Sequence, residues 1–559
     1  MVELAVRIFR SFSRKERLWF LGALCGALLV SPILFFHFID TTTIVAPSFG
    51  GSYTEGMVGQ LSFVNPVLAR PGTPDSDITS LVFASVADIA ESIKYNRNFT
   101  VWNVRLKEGA QWHDKTPITS DDIIFTVRTI QNQDTLSPLA GDWGQIEAYR
   151  VSEREIEFKI PSPYAFFPSL LDNLRPIPKK IFADIDPANI KLSAYNLEPI
   201  GSGPYQYQEN SKRKDGFITS YTLAKAESYA TIAQEPYIKT ITFSFFENTS
   251  LLLAAYNKGT IDGFGTFENI NNSLLSIKSS VRSIPSGKYY ALFFNQQARE
   301  VLGNVAVRDA LAMGINRDDI INNVFDGNAD AEYGPIPPAI LKQHTIEDEQ
   351  LQPTFDPAQA KTLLANDGWI WNTDASVWEK RNKKGDTTET LSFTIKTADA
   401  SPLKDIASVI QQNWQTIGVP VTIVTIDPAT IQEEVIQPRN YELLLFGNIV
   451  AQHLDLFSFW HSSQKFDPGL NLSLYQNSAV DQAIINLRST DQGDQANSLF
   501  ERIQKTVAYD TPAVFLVSPH YLYITTESIP GITIPFVSLP TNRFATITSW
   551  YVKTHRALK

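Results

Sequence analysis

The chain has 559 residues, 43% of them hydrophobic and 19% charged, and 48 basic against 59 acidic side chains leave a formal net charge of −11. That balance argues against a nucleic-acid partner, which calls for a basic footprint, and the length allows two or three domains around a large core. A single cysteine, Cys25, leaves the rest of the chain without disulfides or a thiolate metal site.

In chain order, the first feature is Leu18 to Ile39, LWFLGALCGALLVSPILFFHFI, an apolar run with no charge. As a helix it spans roughly 33 Å, enough for a ~30 Å hydrocarbon core. Arg7, Arg10, Arg14, Lys15 and Arg17 precede it, and Asp40 with three threonines follows. Positive charge stays inside, so residues 1–17 are expected in the cytoplasm and 18–39 across the cell membrane, with the bulk extracytoplasmic, in the periplasm or on the outer cell surface. A cleaved signal peptide is the other reading, but its apolar region is usually ~7–15 residues. This run is longer, Pro47 follows a site that would end at Ala46, and Leu24 stands where a lipoprotein acceptor Cys25 wants a small residue.

Beyond it, strand and helix patterns alternate. Phe99 to Leu106 puts Trp102, Val104 and Leu106 on one face, and Arg154 to Ile160 does the same with Ile156, Phe158 and Ile160. Thr119 and Asp122 form a capping-box pattern before Ile123, Ile124, Val127 and Ile130 at helical spacing. Asn316 is placed to cap a second helix, with Ile320, Ile321, Val324 and Phe325 inward and Gly327 past its end. Separate strands interleaved with helices predict sheets covered by helices. The 10 Trp, 20 Tyr and 34 Phe suit core packing and also a cleft that covers organic ligands. No G-x-S-x-G elbow, P-loop, H-E-x-x-H or EF-hand loop is present. The seven histidines are scattered, so no metal site or cofactor is expected, and no pair of carboxylates stands out as an acid/base couple. The pattern favours binding over catalysis.

Several segments, in order, resemble the family 5 solute-binding proteins of ABC transporters, the oligopeptide/dipeptide/nickel-binding type. Ser62 to Ala69 (SFVNPVLA) is similar to an early N-P-x-L segment and Leu81 to Val86 (LVFASV) to its following helix. In FTVWNVRLKEGAQWHDKTPITSDDIIFTV, residues Leu106, Lys107, Gly109, Trp112, His113, Asp114, Pro117, Thr119 and Asp122 fit a strand, turn and helix motif, with Lys115 where the family has glycine. Ile200 to Tyr205 (IGSGPY), Lys258 to Asp262 (KGTID), Tyr290 to Asn295 (YALFFN), Val307 to Asn316 (VRDALAMGIN), Gly334 to Pro338 (GPIPP), Leu363 to Trp369 (LLANDGW), Tyr441 to Ser462 and Thr511 to Phe515 (TPAVF) follow. Within these motifs His113–Asp114 reads as a turn device rather than a catalytic dyad, and Arg308 as a structural charge.

The resemblance implies an α/β fold of two hinge-linked lobes, periplasmic-binding-protein-like, of type II with an extra subdomain. Lobe I would hold 44–287 plus 509–559, with the subdomain at about 81–197, and lobe II 288–508. It implies a monomeric, non-enzymatic protein that traps a peptide or other small solute between the lobes and delivers it to ABC transporter permease subunits, with the ATPase engaged indirectly and the membrane held through the N-terminal helix. Ligand contacts would come from Gly265, Thr266 and Phe267 in lobe I and from Asn448, Gln452, His453 and Asp455 in lobe II, with Phe515 and Tyr53 as further candidates. Many relatives hold the ligand's α-amine with an acidic residue before a D-P step. Here Asp455 matches the D, Leu456 replaces the proline, and the anchor position falls at Ala451 or Gln452, neither acidic. A blocked peptide, a glycan or another neutral solute therefore stands beside a free-amine peptide. A surface sensor or structural protein reusing the fold, and an anchored hydrolase, are the alternative functions.

Overall fold

A computed structural model describes residues 9, 11–229, 235–346, 351–382, 384–450, 454–491, 493–526 and 529–558. The apolar run lies within one helix, Arg14–Thr42, none of whose residues is buried, and it alone among the described helices is long and apolar enough to cross a membrane. Ser13 caps its start, accepting from the Glu16 N–H while Glu16 accepts from the Ser13 N–H at 2.8 Å. At its end the hydroxyls of Thr41 and Thr42 reach back to carbonyls of His37 and Phe38, satisfying groups that a helix terminus leaves open. The next strand, Thr43–Ser48, pairs antiparallel with Lys553–Leu558, and Arg556 contacts Asp40 at 3.2 Å.

Two large sheets define the two lobes. The first has seven strands in the order Ser279–Ile284, Tyr521–Thr526, Gly263–Thr266, Ser52–Val58, Thr240–Phe246, Ile218–Lys225 and Tyr205–Lys212. The second has six, Ala329–Ala331, Ala513–Pro519, Lys288–Phe294, Leu443–Ile449, Phe393–Ala398 and Val421–Ile426. Strand Lys288–Phe294 is buried on both faces: Tyr289, Ala291 and Phe293 pack into one core layer, and Tyr290, Leu292 and Phe294 into the other. A continuous apolar run suits a strand covered on both sides.

A four-stranded sheet, Ala90–Tyr95, Val101–Leu106, Glu155–Lys159 and Glu147–Ser152, shares the first lobe's core. Its helix Ser120–Gln131 starts as the sequence predicts, with the Asp122 carboxylate accepting from the Thr119 N–H at 2.9 Å. Asn316 likewise caps Arg317–Phe325, accepting from the Asp318 N–H at 3.1 Å, and Gly327 follows with φ +80°.

The return to the first lobe falls later than position 509. Strand Ala513–Pro519 is hydrogen-bonded between Lys288–Phe294 and Ala329–Ala331, so the chain stays in the second sheet to Pro519 and enters the first at Tyr521. An apolar strand with both neighbours in one sheet cannot leave that sheet without stranding its backbone groups.

Candidate functional site

The chain passes between the large sheets at Pro285–Gly287 and at His520. These crossings are tied together. Ser286 is fully buried and its hydroxyl donates to the Pro519 carbonyl, while the Ser518 hydroxyl donates to the Lys288 carbonyl at 2.9 Å. His520 accepts from Ser283 or donates to it at 2.8 Å through Nδ1, and its Nε2 meets Asp330 at 3.0 Å.

Beside these crossings lies a cavity of about 350 Å³ with walls from both lobes. Thr266, Phe267 and Glu268 come from the first lobe, and Lys288, Tyr290, Ser401 to Leu403, Phe446 and Gly447 from the second. A smaller pocket of about 150 Å³ opens behind Gly265 to Glu268 and reaches Asp77, Tyr521 and Arg543. Two glycines shape these walls. A Cβ on Gly265 would lie 2.0 Å from the Tyr521 hydroxyl, and one on Gly447 would lie 3.0 Å from the Tyr290 ring. Each absence of a side chain lets a tyrosine ring lie against backbone. Tyr521 then meets Phe267 edge to face at 5.0 Å between centroids. The Lys288 ammonium sits 5.2 Å from the Phe267 ring and 4.7 Å from the Tyr290 ring, within cation–π range of both. Across the cavity wall, the Glu268 carboxylate accepts from the Thr249 hydroxyl at 2.8 Å.

Under the first-lobe wall runs a buried ion network. Arg543 meets Glu55 at 2.8 Å and Asp77 at 2.6 Å, with all three side chains at most 4% exposed. The hydroxyls of Tyr53 and Tyr523 donate to Glu55 at 2.6 and 2.9 Å, and Thr541 donates to Asp77 at 2.6 Å. Burial, followed by the nearby Glu55 charge, pushes both tyrosine hydroxyls well above their ordinary range. They stay protonated and act as donors.

Gly265, Thr266 and Phe267 thus stand at the cavity or the pocket behind it. Asn448 does not line the cavity. It is buried, and its amide donates to the Tyr289 hydroxyl at 3.0 Å, one position from Gly447, which does line it. Asp455 is half-buried at a different contact, where the subdomain meets the second lobe. It lies 3.4 Å from Arg488 and close to the Tyr164 hydroxyl, and desolvation raises its carboxyl above the usual range. The Arg488 guanidinium packs over the rings of Tyr164 and Phe457, and its carbonyl accepts from the Ala165 N–H at 2.7 Å. Phe515 and Tyr53 have no exposed surface: Phe515 packs on Tyr289 and Trp460, and Tyr53 belongs to the ion network. Their place is the core, because their strands are covered on both sides. Gln452 and His453 lie outside the described residues.

Sequence reasoning passed over Glu268, Lys288, Tyr290 and Ser401 to Leu403. Lys288 carried a usable signal, as the sole charge opening an apolar strand directly after Pro285-Ser286-Gly287. The others depend on lobe packing that one sequence does not display.

The His113 motif lies away from the cavity. His113 Nδ1 accepts from the Gly201 N–H at 3.2 Å, so Nε2 carries the proton and donates to the Gly203 carbonyl at 2.9 Å. Desolvation lowers its affinity for a second proton. The ring staples the turn to Gly201–Gly203, whose N–H groups also bond Val82. Arg308 donates to the carbonyls of Thr511, Leu302 and Asp510, a structural role.

Residues 85–467 match the family described as bacterial extracellular solute-binding proteins, family 5. The oligopeptide-binding protein AppA of Bacillus subtilis is 25% identical over 509 residues, covering 87% of this chain and 89% of that protein. The structure of AppA from Bacillus subtilis in complex with a nonapeptide aligns with a TM-score of 0.70 at 23% identity, over 91% of this chain and all of that one. NikZ from Campylobacter jejuni in complex with Ni(L-His) aligns at a TM-score of 0.68 and 20% identity, over 89% of this chain and 99% of that one.

Proposed function

This chain belongs to the bacterial extracellular solute-binding proteins of family 5, and from that membership we propose that it captures a peptide between its lobes and delivers it to the permease of an ABC transporter. The observation that carries the reading is the cavity beside the two chain crossings, walled by Thr266, Phe267 and Glu268 on one side and Lys288, Tyr290 and Phe446 on the other. A hinge with ligand contacts in both lobes couples binding to closure. Its nearly 90% coverage of a peptide-binding relative supports a peptide as the solute. Helix Arg14–Thr42 tethers the protein to the outer face of the cell membrane, and the pairing of Thr43–Ser48 with Lys553–Leu558 supports retention of that segment, since cleavage after Ala46 would cut the ribbon in two.

Native mass spectrometry of residues 41–559, followed by denaturation and identification of what is released, tests this function. A stoichiometric set of short peptides is the expected result. An empty protein that also shows no thermal shift with peptide mixtures would refute peptide capture and favour the sensor reading.

A further inference from the structure

Among the described residues, Lys288 is the one cation on the wall of the interlobe cavity. It is the first residue of its strand and half-buried, and its backbone is held by the Ser286 hydroxyl at 3.3 Å. Its ammonium lies between a ring of the first lobe, Phe267, and a ring of the second, Tyr290. Among the described residues no carboxylate, carbonyl or hydroxyl accepts from it. The rings offset part of the cost of withdrawing the charge from water, but they offer its three N–H donors no conventional protein acceptor. Every other cation named in the site's neighbourhood is already committed: Arg543 to Glu55 and Asp77, Arg488 to Asp455. The remaining charge on the cavity wall, Glu268, sits in the first lobe and is held by Thr249.

We propose that Lys288 is the anchor for a carboxylate of the ligand and that the carboxyl end of a bound peptide lies at the hinge end of the cavity. The inference rests on the peptide reading above and adds the polarity of the ligand and the group that sets it. A compact ammonium framed by apolar rings fits a carboxylate oxygen through charge-assisted hydrogen bonds. Since Phe267 and Tyr290 come from different lobes, the cradle is complete only when the lobes are together. Binding a carboxylate there stabilises the closed arrangement selectively. The flat seat of Tyr290 over Gly447 and the edge-to-face contact of Phe267 with Tyr521 keep both rings in place.

The test uses an equimolar set of tri- to hexapeptides, each made as the free acid and as the carboxyl-terminal amide, with affinities measured by calorimetry on the full-length protein in detergent. The wild-type protein is expected to prefer free acids by about 10- to 100-fold, the worth of one charge-assisted contact. Lys288→Met, which keeps the apolar stem, should lose that preference, with free acids and amides then binding within about 2-fold of each other. Lys288→Arg, whose charge is retained, should keep the preference, which covers the case of a poorly folded methionine variant. Equal wild-type affinity for the two sets, or a preference that persists in Lys288→Met, overturns the anchor and leaves peptide capture standing. Failure of the wild type to bind either set overturns peptide capture and the anchor together.

Discussion

Replacing Arg543 with methionine would leave the carboxylates of Glu55 and Asp77, 0% and 4% exposed, beneath the first-lobe wall without their cation. Removing one member of a buried ion pair costs about 3–5 kcal/mol, chiefly from the charge left behind. Here one guanidinium serves two carboxylates, which raises the cost. Hydroxyls of Tyr53, Tyr523 and Thr541 remain as donors, which lowers it. We expect about 4 kcal/mol, read as the shift of the first lobe's urea midpoint multiplied by its slope. Neutralising the two acids as well, in Arg543→Met with Glu55→Gln and Asp77→Asn, should recover most of the loss, because amides accept the same hydroxyls without an unpaired charge. A single-variant loss below about 1 kcal/mol, or a triple variant no better than the single one, would refute the view of the network as a mutually dependent charge cluster.

Lys115 stands at φ +69°, where the family pattern has glycine. Lys115→Gly should therefore stabilise by up to about 1 kcal/mol in chemical denaturation, and a destabilised variant would show that the backbone there carries no strain. Asp455 has its carboxyl raised by desolvation, so its contribution is full below its unfolded value of about 3.9 and is lost as pH rises through the folded value. Melting of wild type relative to Asp455→Asn should thus decline from pH 4 to pH 7, and a flat or rising difference would contradict the sign. In Gly265→Ala the new methyl would lie 2.0 Å from the Tyr521 hydroxyl. Displacing that buried ring should cost about 1–3 kcal/mol, and an unchanged melting temperature would show that Tyr521 moves freely.

Much of the fold was legible because it is written in local patterns. Alternation in Val101–Leu106 and Glu155–Lys159 marks one-sided strands, and Asp122 and Asn316 mark helix starts. The apolar run at Leu18 to Ile39 is explicit. Ala513–Pro519 was harder to assign, since an apolar strand buried on both faces carries no sign of which sheet it joins. The site was legible only in part. Thr266 ends, and Phe267 follows, a strand that the G-x-I-D step locates, whereas the roles of Asn448, Phe515 and Tyr53 depend on which strand face meets the other lobe. Lys288 and Glu268 line one cavity from different lobes, a gap that forms only when two sheets meet.

Among the described residues, two contacts between the lobes differ in chemistry, and the contrast bears on how a ligand drives closure. Near the crossings, Phe267, Lys288 and Tyr290 border an open cavity, so a ligand can add to that contact. At the subdomain, Phe166 is 4% exposed within the second lobe's core cluster, Ala165 bonds the Arg488 backbone, and Tyr164 meets Asp455. Opening through that contact would withdraw one phenyl ring, at about 1.5–3 kcal/mol, and break those bonds. The cost is the same whatever the cavity holds, so it lowers the penalty of closing without distinguishing one solute from another. A group with equal worth for every ligand shifts the open–closed balance but cannot select. Selectivity therefore has to come from the cavity wall, where Lys288 and Glu268 supply opposite charges on opposite lobes.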